Sequence, residues 1–127
     1  MLNQHYYKYR SLTQSVIVID DDEDTARLFS EFLSENNIRV SGTGNDGKMA
    51  VKLYQENNPD CVLIDIMMPN GSGFYAIKKI REINPNAKII AVTGDSRFVT
   101  KQKLEGLKIP VIHKPFKMDE VIAQIQS

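Results

Sequence analysis

Four apolar runs along the chain each end on a reactive polar residue. Val16-Ile17-Val18-Ile19 leads into Asp20-Asp21-Asp22, and Cys61-Val62-Leu63-Ile64 into Asp65. Ile89-Ile90-Ala91-Val92 leads into Thr93-Gly94, and Val111-Ile112-His113 into Lys114-Pro115. Short continuous runs of this kind suit strands buried on both faces of a parallel sheet. Between them the apolar period becomes helical. Leu28, Phe29, Phe32 and Leu33 mark a first helix ended by Asn36-Asn37. Ile38-Arg39-Val40 reads as a short second strand, and Asn45-Asp46-Gly47 as a turn and helix start. Ala50, Leu53 and Tyr54 mark a second helix that stops before Pro59. Met68-Pro69-Asn70-Gly71 reads as a loop, followed by a third helix lined by Phe74, Ile77 and Ile80, with Pro85 beyond its end. A weaker helix is predicted from Phe98 to about Leu107, a fifth strand from Ile109 to His113, and a last helix on Val121, Ile122 and Ile125. The phenylalanines and isoleucines at helical spacing are expected in the core.

Strand and helix therefore alternate five times, an α/β pattern of (βα)5 type. Right-handed crossovers between parallel strands put helices on both faces of the sheet. A Rossmann half and the flavodoxin-like doubly wound sheet, strand order 2-1-3-4-5, both suit this pattern. The acids favour the second, because it makes strands one and three neighbours at the switch point where ligands bind. Those strands carry Asp20-Asp21 and Asp65. The polar ends of the runs then share one sheet edge: carboxylates, the Thr93 hydroxyl and the Lys114 ammonium.

Composition narrows the setting. A chain of 127 residues suits one domain with one core. Sixteen basic residues balance sixteen acidic ones, so no general attraction to nucleic acid or to an anionic membrane is expected. No apolar stretch approaches the roughly 20 residues of a membrane span, and residues 1–15 lack the apolar core of a signal peptide. Cys61, the single cysteine, sits in a predicted strand and reads as a small buried hydrophobe. A cytoplasmic location is the expectation. Residues 1–14, with His5, Tyr6, Tyr7 and Tyr9 beside Lys8 and Arg10, show no clear period and read as a flexible tail ahead of a domain over 15–127.

Carboxylates from Asp20, Asp21 and Asp65 in one crevice repel one another. At about 4 Å and an effective dielectric near 20, each pair costs about 4 kcal/mol. Such a cluster must protonate, spread apart or bind a cation. Oxygen donors alone indicate a hard divalent ion. Mg2+ fits best, since it takes one or two carboxylates, keeps waters and leaves a place for a phosphate oxygen; Mn2+ is the expected substitute. No His/Cys spacing suits zinc. Lys114 supplies a point charge for phosphate, Thr93 a hydroxyl, and Gly94 leaves room beside it. Charge on a transferring phosphoryl group would be neutralised from several sides, with Asp65 as the nucleophile that forms an acyl phosphate.

Val18-Ile-Asp-Asp-Asp22, Leu63-Ile-Asp-Ile-Met-Met-Pro69, Val92-Thr-Gly94 and His113-Lys-Pro-Phe116 occur in this order on the expected strands. In these motifs, from about Ser15 to Gln126, the chain resembles the receiver domain of response regulators in two-component signalling. The resemblance implies that Asp65 accepts a phosphoryl group from a histidine kinase or a histidine phosphotransfer protein. It implies that Asp20, Asp21, Asp65 and the backbone carbonyl of Met67 hold the metal, and that Thr93 and Lys114 bind the phosphoryl oxygens. It implies a cis Lys114–Pro115 bond. Asp95 and Met67 lie where the family tunes the phosphate's lifetime. In one respect the chain departs from the pattern: Val111 stands where the family usually carries a tyrosine or phenylalanine whose burial follows the inward move of the threonine. Valine is short and stiff at χ1, which puts that form of output in question.

Other readings compete for the same residues. Asp20 to Asp24 resemble an N-terminal helix cap, a role that suits Glu23 or Asp24. Asp20, Asp22, Asp24 and Glu31 fall at EF-hand ligand spacing, but Thr25 occupies the glycine position and an apolar run precedes the loop. A haloacid-dehalogenase-like phosphatase needs threonine or valine where Asp24 stands. His113 reads as a partly buried strand residue. The expected protein is a stoichiometric, self-phosphorylating switch with some autodephosphorylation rather than a turnover enzyme. Its downstream target would meet the fourth helix, fifth strand and last helix. A phosphorelay intermediate, and a receiver that is a fragment of a hybrid kinase or longer regulator, remain open alternatives.

Overall fold

A computed structural model describes residues 14–69 and 72–127. The first elements are β1 (Ser15–Ile19), α1 (Glu23–Glu35), β2 (Arg39–Gly44), α2 (Gly47–Asn57) and β3 (Cys61–Asp65). They are followed by α3 (Ser72–Ile83), β4 (Ile89–Thr93), α4 (Phe98–Gly106), β5 (Val111–His113) and α5 (Met118–Gln126). The strands form one sheet in the order β2-β1-β3-β4-β5, with every neighbouring pair parallel. This is the doubly wound, flavodoxin-like order that the positions of the acids favoured. The expected tail at residues 1–14 lies outside the described residues except for Gln14, as do Asn70 and Gly71 of the expected loop.

The period of two in a strand sorts the core into two layers. Ile17, Ile19, Val62, Ile64, Ile89 and Ala91 pack with Ala50, Tyr54, Ile77, Ile80 and Leu104 from α2, α3 and α4. Val16, Val18, Leu63, Ile90 and Val92 face the other way, onto Phe29 and Leu33 of α1 and Val121 and Ile125 of α5. The Phe29 ring stacks on Phe116 at 5.4 Å. Both faces of the central strands are thus covered, which is why they read as unbroken apolar runs.

Local chemistry sets the boundaries. Asp22 caps α1 by accepting from the Asp24 amide and the Thr25 hydroxyl, and Asp46 caps α2 by accepting from Met49 N. Asn37 (φ 63°) and Asn58 (φ 44°) take the left-handed conformation after these helices, a region asparagine tolerates better than most residues.

The observed elements differ from the sequence reading in several places. β2 continues past Val40 to Gly44. Its register with β1 slips by one residue at Ser41, a bulge, before Gly42 pairs with Ile17. Its glycines let α2 lie close: a Cβ at Gly42 would come within 2.9 Å of Leu53 Cδ2, and one at Gly44 within 2.7 Å of Met49 Cγ. β5 begins at Val111 rather than Ile109, because the Ile109 amide instead closes α4 on Leu104 O after Lys108 at φ 57°. Leu28 and Phe98 are 64% and 69% exposed rather than core. On α1, Ala26, Phe29 and Leu33 carry the buried stripe instead. His113 is exposed, not partly buried.

Candidate functional site

Asp20 is the first residue beyond β1. Its amide donates to Gly44 O (3.0 Å) on β2, and its carboxylate accepts from the Asp22 amide (2.9 Å). Asp65 ends β3 on the neighbouring strand and accepts from the Met67 amide (2.8 Å). Both carboxylates are buried, while Asp21 is exposed at the rim. Asp20, Asp21 and Asp65 each offer a carboxylate oxygen within 4.8 Å of the others. Residues far apart in sequence meet here because β1 and β3 are neighbours at the switch point.

Lys114 follows β5, and its amide donates to Thr93 O (2.9 Å). Its Nζ lies 3.4 Å from Asp65 Oδ2 and 3.9 Å from Asp20 Oδ2. The Lys114–Pro115 peptide is cis, as expected. Thr93 is fully buried at the end of β4, and its Oγ1 accepts from the Asp95 amide (2.9 Å). Gly94 is exposed, and a Cβ built there meets nothing within 4 Å. Met67 is exposed and Met68 buried. Val111 is half-buried and lines a cavity of about 190 Å³ with Thr93, Asp95, Thr100, Leu104 and His113.

The cluster is electrostatically unfavourable without a cation. Burial raises the Asp20 pKa above its ordinary value, and Asp65 and Asp21 push the same way. The Asp22 amide and Lys114 oppose the shift without cancelling it. Away from the cluster, burial pushes the Cys61 thiol up to about 12, as suits an inert core side chain.

The EF-hand residues do not converge. Asp22 is occupied in capping α1, Asp24 pairs with Arg27 at 2.6 Å, and Glu31 lies within α1 rather than closing a loop. Glu23 likewise belongs to the first turn of α1. Two polar residues at the edge of the site were not singled out from sequence. Arg97 and Thr100 both donate to the carboxylate of Asp95. The signal was a faint one, an aspartate three residues before the first residue of a helix.

An all-oxygen donor set beside an ammonium and a hydroxyl suits a hard divalent ion and a phosphoryl group. Among the described residues no helix is long and apolar enough to cross a membrane.

Comparisons with known proteins agree with this geometry. The family model for the response regulator receiver domain matches residues 16–126. The chemotaxis protein CheY of Thermotoga maritima is 34% identical over 114 residues, covering 88% of this chain and 94% of its own. Among solved structures, the receiver domain of Francisella response regulator 1452 is 31% identical with a TM-score of 0.79, over 88% of this chain and 93% of that one. A chain of the Borrelia burgdorferi CheX–CheY complex with BeF3 and Mg2+ shares the fold at TM-score 0.81 and 23% identity, over 88% and 86% of the two chains.

Proposed function

The chain belongs to the response regulator receiver domain family of two-component signalling, and on that premise we propose that Asp65 is its phosphoacceptor. Receiver domains are signalling switches rather than turnover enzymes, so the reaction is stoichiometric. A carboxylate oxygen of Asp65 attacks the phosphorus of a phosphohistidine on a histidine kinase or phosphotransfer protein. The phosphorus–nitrogen bond breaks, the imidazole keeps its electron pair, and an acyl phosphate remains on Asp65. The observation that carries this reading is the meeting of Lys114 Nζ with Asp65 Oδ2 at 3.4 Å, on the edge where Asp20 and Asp21 complete an acid cluster.

The three carboxylates suit Mg2+, which Asp20, Asp21, Asp65 and the Met67 carbonyl would hold; Mn2+ would take the same oxygens. When bound, the ion neutralises charge on the phosphoryl oxygens. Lys114, just beyond β5, supplies the second positive charge. The Thr93 hydroxyl keeps a proton to donate, since its present bond uses only a lone pair. The acyl phosphate carries about −1.5 to −2 charge where the Asp65 carboxylate carried one, and Lys114 then faces the phosphoryl oxygens in place of that carboxylate. Hydrolysis of the acyl phosphate returns the switch to rest, and the resemblance assigns the tuning of its lifetime to Asp95 and Met67.

Output then passes to a protein target on the face built from α4, β5 and α5, in the cytoplasm and without nucleic acid or membrane as a partner. Val111 favours a second reading, a phosphorelay intermediate, because a half-buried valine cannot report by aromatic burial. Transfer of the phosphoryl group from Asp65 to a histidine phosphotransfer protein separates the two.

The acceptor is tested by intact-mass spectrometry with Mg2+ and acetyl phosphate, beside Asp65→Asn. One added phosphoryl group on the native chain, absent in the variant and without Mg2+, is expected. An unmodified native chain, or equal modification of Asp65→Asn, refutes the assignment.

A further inference from the structure

Thr93 is joined to the start of α4 by a continuous polar path. Its Oγ1 accepts from the Asp95 amide at 2.9 Å. The Asp95 carboxylate is buried, with the Arg97 guanidinium across both oxygens at 2.7–3.0 Å. The same carboxylate accepts from the Arg97 amide at 2.9 Å and from the Thr100 hydroxyl at 2.7 Å. This ion pair and these hydrogen bonds hold the Asp95 pKa well below the usual carboxylate range, the Arg97 side chain contributing most.

These bonds have little apolar support. The residue at the N-cap of α4, Arg97, gives no side-chain cap, and the buried residues of the helix are Thr100 and Leu104. Phe98 and Val99, between Arg97 and Thr100, are 69% and 73% exposed. Beside the same turn lies the cavity of about 190 Å³ lined by Thr93, Asp95, Thr100, Leu104 and Val111. The first turn of α4 is therefore fixed mainly through Asp95 and has room to move.

We propose that Asp95, Arg97 and Thr100 form a latch that holds both the Thr93 hydroxyl and the N-terminus of α4 in the resting arrangement, and that releasing it is how this chain transmits phosphorylation with valine at position 111. The proposal rests on the reading of Asp65 as phosphoacceptor. Drawing the Thr93 hydroxyl toward a phosphoryl group withdraws the acceptor from the Asp95 amide. A buried N–H left without a partner is costly, so the loop re-forms and the bonds converging on Asp95 re-form with it. The coupling is reciprocal: weakening the latch eases the Thr93 movement and populates the active arrangement before any phosphoryl group arrives. Arg97 and Thr100 are positioning residues, acting through Asp95 and Thr93.

The test uses Thr100→Val, which removes the hydroxyl at nearly constant shape, Thr100→Ser, which restores it, and Arg97→Ala. Arg97 is largely exposed, so its truncation leaves the fold intact. Two quantities are read: the rate of phosphorylation by acetyl phosphate with Mg2+, and the backbone amide shifts of residues 95–100 before phosphodonor is added. Loss of one charge-assisted hydrogen bond is expected to accelerate phosphorylation about tenfold in Thr100→Val and Arg97→Ala. Their amide shifts should move toward those of the native protein saturated with beryllofluoride and Mg2+, and Thr100→Ser should return both readouts to native values. Folded variants with native or slower rates and resting amide shifts overturn the latch alone. A native chain that takes no phosphoryl group overturns the acceptor reading, and the latch with it.

Discussion

Replacing Asp20 with asparagine removes one charge from the acid cluster and keeps its shape, since the amide oxygen can still accept from the Asp22 N–H. Two effects oppose each other. The attraction to Lys114 at 3.9 Å is lost, about 4 kcal/mol at an effective dielectric of 20. Repulsion from Asp65 and Asp21, at oxygen separations within 4.8 Å, is relieved by about 3.5 kcal/mol each on the same scale. Relief exceeds loss by about 3 kcal/mol, and solvent screening reduces the net gain to about 1–2 kcal/mol. Without divalent ions, Asp20→Asn should melt about 3–8 °C above the native chain. The pH dependence has a definite sign. The folded pKa of Asp20 is raised, so between 3.8 and that higher value the native state binds more protons than the unfolded one. Its contribution to stability therefore falls as pH rises through this window and is lost above it. The advantage of the asparagine variant should be full at neutral pH and should vanish below the ordinary aspartate range.

Mg2+ narrows this advantage by about 1 kcal/mol. At a concentration ten times its dissociation constant, the ion stabilises the native chain by about 1.4 kcal/mol, and a tenfold weaker site gains about 0.4 kcal/mol. Differential scanning fluorimetry from pH 4 to 8, with EDTA and with Mg2+, measures both effects. If Asp20 served only to tie down the turn before α1, the variant would match the native chain in EDTA and Mg2+ would raise both equally. That outcome, or a variant less stable than native in EDTA at pH 7, refutes the electrostatic account.

Three further outcomes follow from single positions. Gly47→Ala would drive a Cβ to within 2.2 Å of Ser72 O, a backbone atom, and should cost about 2–4 kcal/mol in urea unfolding, whereas Gly94→Ala meets open space and should cost under about 0.5 kcal/mol; equal losses would contradict the close approach of α2 and α3. The Cys61 thiol, fully buried with a pKa pushed up to about 12, should resist a thiol reagent at pH 8 until the protein is unfolded. Labelling of the folded protein at the rate of a free thiol would contradict its burial. The chain contains no tryptophan, so Val111→Trp places a single indole beside Thr93 and the cavity; its emission should change on phosphorylation, and constant emission at full modification would detach β5 from the switch.

The fold was legible wherever one physical signal dominated. Strands buried on both faces announce themselves as apolar runs, so β1, β3 and β4 stood out, and Asp46 and Pro59 marked the two ends of α2. β2 was truncated because Ser41-Gly42-Thr43-Gly44 has the composition of a turn. Only the approach of Leu53 and Met49 shows that these glycines make room for a helix. Leu28 misled for a related reason: it meets the helical period but falls on the outer side of the stripe fixed by Ala26, Phe29 and Leu33.

The site divides along the same line. Asp20, Asp65, Thr93 and Lys114 were legible because each stands at the end of an apolar run, and a parallel sheet must bring those ends to one edge. From the end of β5 the Lys114 side chain then reaches past β4 to two carboxylates. Arg97 and Thr100 have no such marker. Their role depends on where α4 begins and how it rolls onto the sheet, and α4 has the weakest apolar pattern of the helices described. A helix with little core to fix it must be held by something else, and here the binding falls to one carboxylate two residues beyond Thr93. The features that made this segment hard to read from sequence, few buried residues and an exposed Phe98-Val99 pair, are also those that leave it free to move. A conformational output needs an element of low local stability connected to the reacting group, and the β4–α4 junction is where the polar bonds of this chain supply that connection.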